Sequence, residues 1–441
     1  MRKLLFFIFS VIISGVAVGF SADRDKPEET LTASLVTCWP GSEVYELCGH
    51  EAIRIRGMVN GHPIDSIWNY GTFDFAQPNF IYRFVKGETD YMLSAYPFAW
   101  FLPEYVNSGR KVVEQDLNLS PEETLRLLQL LRDESVPERR VYRYNYVKDN
   151  CATRVVERVD QAVGQPVVYP DSIHYGTFRN EMRHYHRDYP WYQFGIDLAL
   201  GSGLDYQLRG REEMFVPLEL MRKADGAHLS DGRPLVKATR VLNQGVPDAT
   251  LGPTPWAMTP MACSLGCLAL MLVLCFVQWR RNRLFPILYS LWFGILGLAG
   301  CLVAFLVFIS SHEATSPNLL ILWFNPLQLV IAIGVWFRSS WRPAVIAMAY
   351  VNIILLVVLL IVWPFQAQSA NPAFFPLMAA TLLLAVTYAI LQTKISLKNN
   401  IDNRDEEVNE HHALGGSVRR GGSRQRRTVN RTAKTRGRNR R

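Results

Sequence analysis

Five apolar stretches in the second half of the chain limit what it can fold into more than any other feature. They run from about Met258 to Trp279, Leu284 to Ile309, Leu319 to Phe337, Pro343 to Trp363 and Phe374 to Thr393. Each is close to the ~20 residues a helix needs to cross hydrocarbon, where every backbone polar group must be satisfied internally. The stretches predict an all-α five-helix transmembrane domain over 258–393. Arg280, Arg281 and Arg283 follow the first and Arg338 and Arg342 the third, whereas 310–318 and 366–373 contain no Lys or Arg. Basic loops stay cytoplasmic, so residues 23–257 are expected in the periplasm, held at the inner membrane.

The two ends add to this layout. Met1 to about Ala22 carries Arg2, Lys3 and an apolar run from Leu4 to Phe20, the pattern of a signal peptide or an uncleaved anchor. Residues 394–441 read as a basic, disordered cytoplasmic tail. From Arg419 to Arg441, 11 of 23 residues are Lys or Arg, and removing those charges from the formal +8 leaves about −3 for the remainder. An arm tethered at a membrane suits anionic lipid, so no nucleic-acid partner is expected.

Cysteine usage narrows the chemistry. Of seven cysteines, Cys263, Cys267, Cys275 and Cys301 lie in the apolar stretches and behave as small apolar residues. Cys38, Cys48 and Cys151 remain. In an oxidising compartment a Cys38–Cys48 disulfide is one open pairing, and it would leave Cys151 as the odd thiol. No CxxC, HExxH or EF-hand pattern occurs, so neither metal nor cofactor is expected.

Within 23–257, His50 to Tyr70 reads as a hairpin turning at Asn60-Gly61, with paired positions summing to 121. His50 then faces Gly71 and Ala52 faces Asn69, which leaves Asn69 diagonally within reach of His50. Ser120-Pro121-Glu122-Glu123 is a capping box opening a helix to about Asp133, flanked by strands near 112–119 and 140–147. Asp149 or Asn150 caps a second helix, whose stripe of Ala152, Val155, Val156, Val159 and Val163 faces a sheet. Cys151 falls in its first turn. Unpaired amides there lower a thiol pKa and can hold an oxyanion, which suits a cysteine nucleophile with His50 as base. A buried structural cysteine and an ordinary strand histidine are the plainer alternatives. Asn69 is the candidate orienter of His50; Tyr70 and Asp74 are its runners-up, and Arg154 could position a phosphate or carbonyl.

The order of His50 before Cys151 resembles the permuted NlpC/P60-like, papain-related fold, an α+β architecture. More closely, Gly49-His50-Glu51-Ala52-Ile53-Arg54-Ile55, Trp68-Asn69-Tyr70-Gly71-Thr72-Phe73-Asp74-Phe75, Gln115-Asp116-Leu117-Asn118-Leu119, Asn150-Cys151-Ala152-Thr153-Arg154 and Met214-Phe215-Val216-Pro217 resemble the Bacteroidota lipoprotein N-acyltransferases. That resemblance implies transfer of an acyl chain from a phospholipid donor to the α-amino group of a diacylated lipoprotein. Cys151 would carry the acyl group as a thioester and His50 would act as base. Cys48 departs from the pattern, standing two residues before His50 where a bulky apolar residue is expected.

Two other classes stay open on the residues alone: a membrane-anchored thiol amidase or peptidase acting on peptidoglycan, and a non-catalytic scaffold that binds lipoproteins. Five spans suit two lipid-bound substrates better than a soluble one. Phe73, Phe75, Phe80, Tyr82 and Phe84 could wall a water-excluding groove. The stretch from His174 to Tyr192 is rich in His, Arg and aromatic residues, as either a headgroup contact or a connector.

Overall fold

The computed structural model describes residues 31–246, 252–337 and 341–418. The signal segment and the Arg-rich run from Arg419 lie outside them. The chain divides into two compact units, one formed by the residues up to 189 with 206–253, the other by 190–205 with the residues from 254 onward.

The first unit is an antiparallel sheet with helices on both faces. In chain order its elements are β1 (Thr32–Cys38), β2 (His50–Val59), β3 (His62–Thr72), α1 (Phe80–Lys86), β4 (Asp90–Pro97), α2 (Phe98–Asn107), β5 (Val112–Leu117), α3 (Pro121–Glu134), β6 (Val141–Arg143), α4 (Cys151–Val163) and α5 (Phe178–Tyr185); α7 (Pro217–Asp225) and β7 (Val236–Asn243) follow the excursion of 190–205. Seven strands run in the order β6-β4-β3-β2-β1-β5-β7. The hairpin register pairs Ile53 with Trp68 and Val59 with His62, so the sum of 121 holds.

Strand alternation sorts the two faces. Leu35, Ile53, Ile55, Trp68 and Tyr70 meet Leu127, Leu128 and Leu131 of α3 and Val155, Val156 and Val159 of α4. On the other face Val36, Cys38, Ala52 and Ile67 meet Phe98, Phe101 and Tyr105 of α2. Beyond that second core the same face is charged: Glu114 and Asp116 of β5 pair with Arg54 and Arg56 of β2 and Arg240 of β7. The expected 140–147 strand is pared to Val141–Arg143, because the chain turns at Asn145, which exchanges backbone hydrogen bonds with Asp149 before entering α4.

The second unit contains α6 (Pro190–Ala199), α8 (Pro260–Arg281), α9 (Pro286–Phe308), α10 (Gln328–Gly334), α11 (Arg342–Val362) and α12 (Phe374–Val418). Among the described residues four helices are long and apolar enough to cross a membrane, where five were expected. The missing one is the stretch Leu319–Phe337. Pro326, which lacks an N–H, divides it into a 3-10 turn at Leu319–Leu322 and the short α10. This broken segment lies against α9. A Cβ on Gly300 would come within 2.5 Å of the Asn325 backbone, and one on Gly297 within 2.8 Å of Leu329, so only glycine permits the approach.

Two further expectations are corrected here. Residues 190–205 belong to this unit rather than to the exported one. Phe194 of α6 packs edge-on against Phe374 with centroids 4.8 Å apart, and Asn371 Nδ2 donates to Asp197 at 3.0 Å. Asn318, which donates to the Leu198 carbonyl, also accepts from Gln368 Nε2 at 2.9 Å, so the two loops without Lys or Arg meet at one end of the bundle. Second, residues 394–418, expected in the disordered tail, continue α12 as helix. That stretch holds no Pro, and its first Gly is Gly415; helix extends cheaply from a turn already formed.

Candidate functional site

Cys151 is the first residue of α4, placed by the cap before it. Asn150 Oδ1 accepts the Thr153 N–H at 3.0 Å, and Thr153 Oγ1 accepts the Asn150 N–H at 2.8 Å. The remaining amide of Asn150 donates to the carbonyls of Tyr146 and Phe215, each at 2.8 Å, locking the cap to two neighbouring segments. Of the two caps the sequence offered, Asn150 fits because its Nδ2 group can donate where a carboxylate cannot.

The thiol of Cys151 is buried, and the backbone amides of Glu51, Ala152 and Cys151 lie near enough to oppose in part the rise that burial imposes on its pKa. Glu51 follows His50 on β2, so the helix start and the histidine strand converge. Gly71 is required by its backbone, at φ +87°, rather than by space: a Cβ there would stand in ordinary contact, 4.0 Å from the Cys151 Cβ and 3.5 Å from the Tyr144 ring, which places the end of β3 beside the thiol.

His50 Nε2 lies 2.5 Å from Asn69 Oδ1. That oxygen can only accept, so Nε2 carries the proton and Nδ1 is left as the basic nitrogen. Asn69 is fixed in turn by donating to the Tyr96 hydroxyl at 2.9 Å. Burial lowers the His50 pKa to about 4, with Asn69 opposing the shift, so the ring is neutral around pH 7.

The thiol departs from expectation. Burial pushes Cys151 up to about 12, and the three amides only partly offset this. A helix start exposed to water lowers a thiol pKa; here desolvation outweighs the dipole. Glu51 adds to the rise as well, and burial raises its own carboxyl well above the usual range. The resting pair is therefore a neutral thiol and a neutral imidazole.

The three substrate-binding candidates have structural partners instead. Arg154 is bidentate to Asp149 at 2.6 and 2.8 Å, pairs with Glu134 at 2.9 Å, and lies 3.5 Å over the Tyr142 ring. Tyr70 is fully buried and donates to Glu134 Oε2 at 2.7 Å. Asp74 Oδ1 accepts the Ala76 N–H in a local turn. Arg154 thus braces α4 to α3, where Arg158 meets the same Glu134 at 2.7 Å. The open Cys38–Cys48 bridge is not formed: Cys38 sits in the core beneath α2, and Cys48 Sγ lies 3.1 Å from the Tyr146 hydroxyl and 3.8 Å from His186 Nε2.

Several neighbours escaped the sequence reading. The Glu51 amide carries no side-chain signal, and Tyr144 falls outside any strand. Tyr144 stacks on Tyr91 at 4.2 Å, Tyr91 meets Phe73 at 5.0 Å, Phe73 stacks on Phe80 at 5.8 Å and Phe80 on Phe84 at 6.2 Å. This aromatic track leads from the Cys151 neighbourhood to α1, where Ile81 is 78% exposed beside exposed Phe75, Tyr82 and Phe84.

A mixed α/β domain followed by four helices long and apolar enough to cross a membrane defines a membrane protein. The Lnb N-terminal periplasmic domain family matches residues 22–180, and the Lnb transmembrane domain family matches residues 253–396. Together they cover about two thirds of the chain, which belongs to the Lnb-type lipoprotein N-acyltransferase family: a membrane enzyme that modifies lipoproteins. No curated protein and no solved structure matches it.

Proposed function

We propose that this chain moves an acyl chain from a phospholipid, through a thioester on Cys151, to the α-amino group of the diacylglyceryl-cysteine that begins a lipoprotein. The observation that carries the reading is a buried Cys151 at the capped start of α4, beside Gly71 at the end of β3, in the same domain as a His50 whose Nε2 is held by Asn69.

His50 Nδ1 takes the thiol proton as sulfur attacks the ester carbonyl, since a thiol held near 12 supplies almost no free thiolate at neutral pH. The carbonyl oxygen gains negative charge, and amides at the α4 start are the donors at hand to stabilise it. Collapse expels the lysophospholipid alkoxide, which takes the proton from His50. In the second half the lipoprotein amine attacks the thioester, His50 receives its proton, and the Cys151 sulfur leaves and is reprotonated as the amide forms. The aromatic track offers an acyl chain an apolar way toward the sulfur and keeps water from the thioester. The order of histidine strand before cysteine helix supports the permuted papain-related reading of the domain. A periplasmic domain followed by helices long and apolar enough to cross a membrane supports the same two lipid-bound substrates.

Mass spectrometry of lipoprotein N-terminal peptides tests this, in cells lacking other N-acylation and expressing either the intact chain or Cys151→Ala. Triacylated peptides from the intact chain and diacylated ones from the variant are expected. Diacylated peptides from both would overturn transfer and direct attention to peptidoglycan fragments.

A further inference from the structure

The helix α1 buries none of its seven residues, although Phe80, Ile81, Tyr82, Phe84 and Val85 make five of them apolar or aromatic. A surface helix of a water-soluble domain turns an apolar stripe inward and keeps its outer face polar. Here Ile81 is 78% exposed, and Tyr45 in the loop after β1 and Phe75 in the loop after β3 are each more than half exposed. Their rings run on into those of α1. Tyr45 lies 6.3 Å from Phe75, Phe75 lies 5.1 Å from Phe80, and Phe80 lies 6.2 Å from Phe84. Contiguous exposure of this kind marks a contact surface, whereas single exposed apolar residues do not.

Charge and connectivity indicate what it meets. Arg83 pairs with Asp90 and Lys86 with Glu88, each at 2.8 Å, so the cations of α1 are matched within its own neighbourhood and the patch attracts through apolar area. The chain passes between this unit and the one that holds the membrane-length helices at 189–190, 205–206 and 253–254. Three covalent crossings keep the patch at a high effective concentration of lipid, whatever else is in solution. Phe and aliphatic side chains suit the acyl boundary of a bilayer, and Tyr suits its wet edge.

We propose that α1, with Tyr45 and Phe75, dips into the periplasmic leaflet of the membrane the chain spans, and that a donor phospholipid leaves the bilayer there. The second half rests on the acyl-transfer reading. From Phe75 the rings continue inward to Phe73 at 4.6 Å and through Tyr91 to Tyr144, which flanks Gly71 together with Cys151. An acyl chain following them stays out of water between leaflet and sulfur, so extraction costs little apolar exposure.

Photo-crosslinking tests the contact. A benzophenone amino acid replaces Ile81 or, in a second protein, Phe75, in the full chain reconstituted in nanodiscs of phosphatidylethanolamine and phosphatidylglycerol. A third protein has it in place of Val168, an apolar residue similarly exposed but outside the patch. Mass spectrometry after irradiation should find roughly tenfold more phospholipid adduct at 81 and 75 than at 168, with the same yield when Cys151→Ala is added, since insertion needs no thiol. Equal yields at the three positions would overturn the proposal. So would adducts at 81 and 75 formed only with an added diacylated lipoprotein, which would make the patch a protein-docking surface. A Cys151 thioester without lipid adducts at 81 and 75 sinks the leaflet contact alone; adducts without any thioester uphold that contact and sink the acyl-transfer reading.

Discussion

The reactive pair is neutral at rest, and that sets its pH dependence. Activity requires neutral His50, so the rate should climb as pH rises through about 4 and stay level across neutrality, with no thiol titration until about 12. Asn69 holds the protonated Nε2 and raises the His50 pKa, so Asn69→Ala should move that acid limb to lower pH while reducing kcat less than His50→Ala does. His50→Ala removes the base and should lower kcat by ~10²–10⁴-fold. A pH–rate series on the three proteins checks both statements; an acid limb unmoved in Asn69→Ala would remove it from the His50 pair. Stability follows the same group. The unfolded histidine titrates near 6.5 and the folded one about 4, so the unfolded state binds more protons between these values. The His50 contribution is fully present above about 6.5 and is lost as pH falls through about 4.

Among the elements, α4 matters most, and its start is over-determined. Asn150 makes the cap and two further bonds, so Asn150→Ala should lower stability by ~1–2 kcal/mol and depress kcat by shifting the sulfur, as denaturant melts and single-turnover acylation would reveal. Arg154→Gln discriminates between brace and ligand. With Asp149 left without its partner and Glu134 held only by Arg158 and Tyr70, stability should fall while KM for phospholipid stays within about twofold; a large rise in KM at unchanged stability would restore Arg154 as a lipid contact. At α1, Ile81→Glu with Phe84→Glu places charge on exposed apolar residues remote from the core. Acylation of Cys151 by vesicle phospholipid should drop, while alkylation of the thiol by a small soluble reagent should not change.

For the whole molecule, the glycine contact between α9 and the broken segment is the constraint to test. Gly300→Leu would drive a side chain into the Asn325 backbone and should destabilise the bundle by more than ~2 kcal/mol, seen as a lower Tm in detergent; an unchanged Tm would mean the two segments do not meet as described. Topology is tested by thiol labelling. Ser311→Cys should react with an impermeant reagent in intact cells and Arg281→Cys only after lysis.

Much of the site could be read from local pattern. The Asn60-Gly61 turn fixed the hairpin register, and the register placed Asn69 diagonal to His50, because two-residue turns leave strands no slack. The cap before Cys151 and the Ser120 capping box were legible for a similar reason: they depend on residues three apart in one chain. The Lys/Arg asymmetry of the loops and the apolar lengths identified a membrane protein, since bilayer thickness acts on each segment separately. The tertiary structure decided what depends on partners distant in sequence. Burial overrode the helix dipole at Cys151, Glu134 and Asp149 captured Arg154, and Pro326 together with the α9 glycines replaced a continuous third span by a broken one. Residues 190–205 joined the membrane unit because Phe194 and Asp197 found their partners at Phe374 and Asn371, nearly two hundred residues away. Local rules give each segment's preference; desolvation and pairing are sums over whichever neighbours the fold supplies.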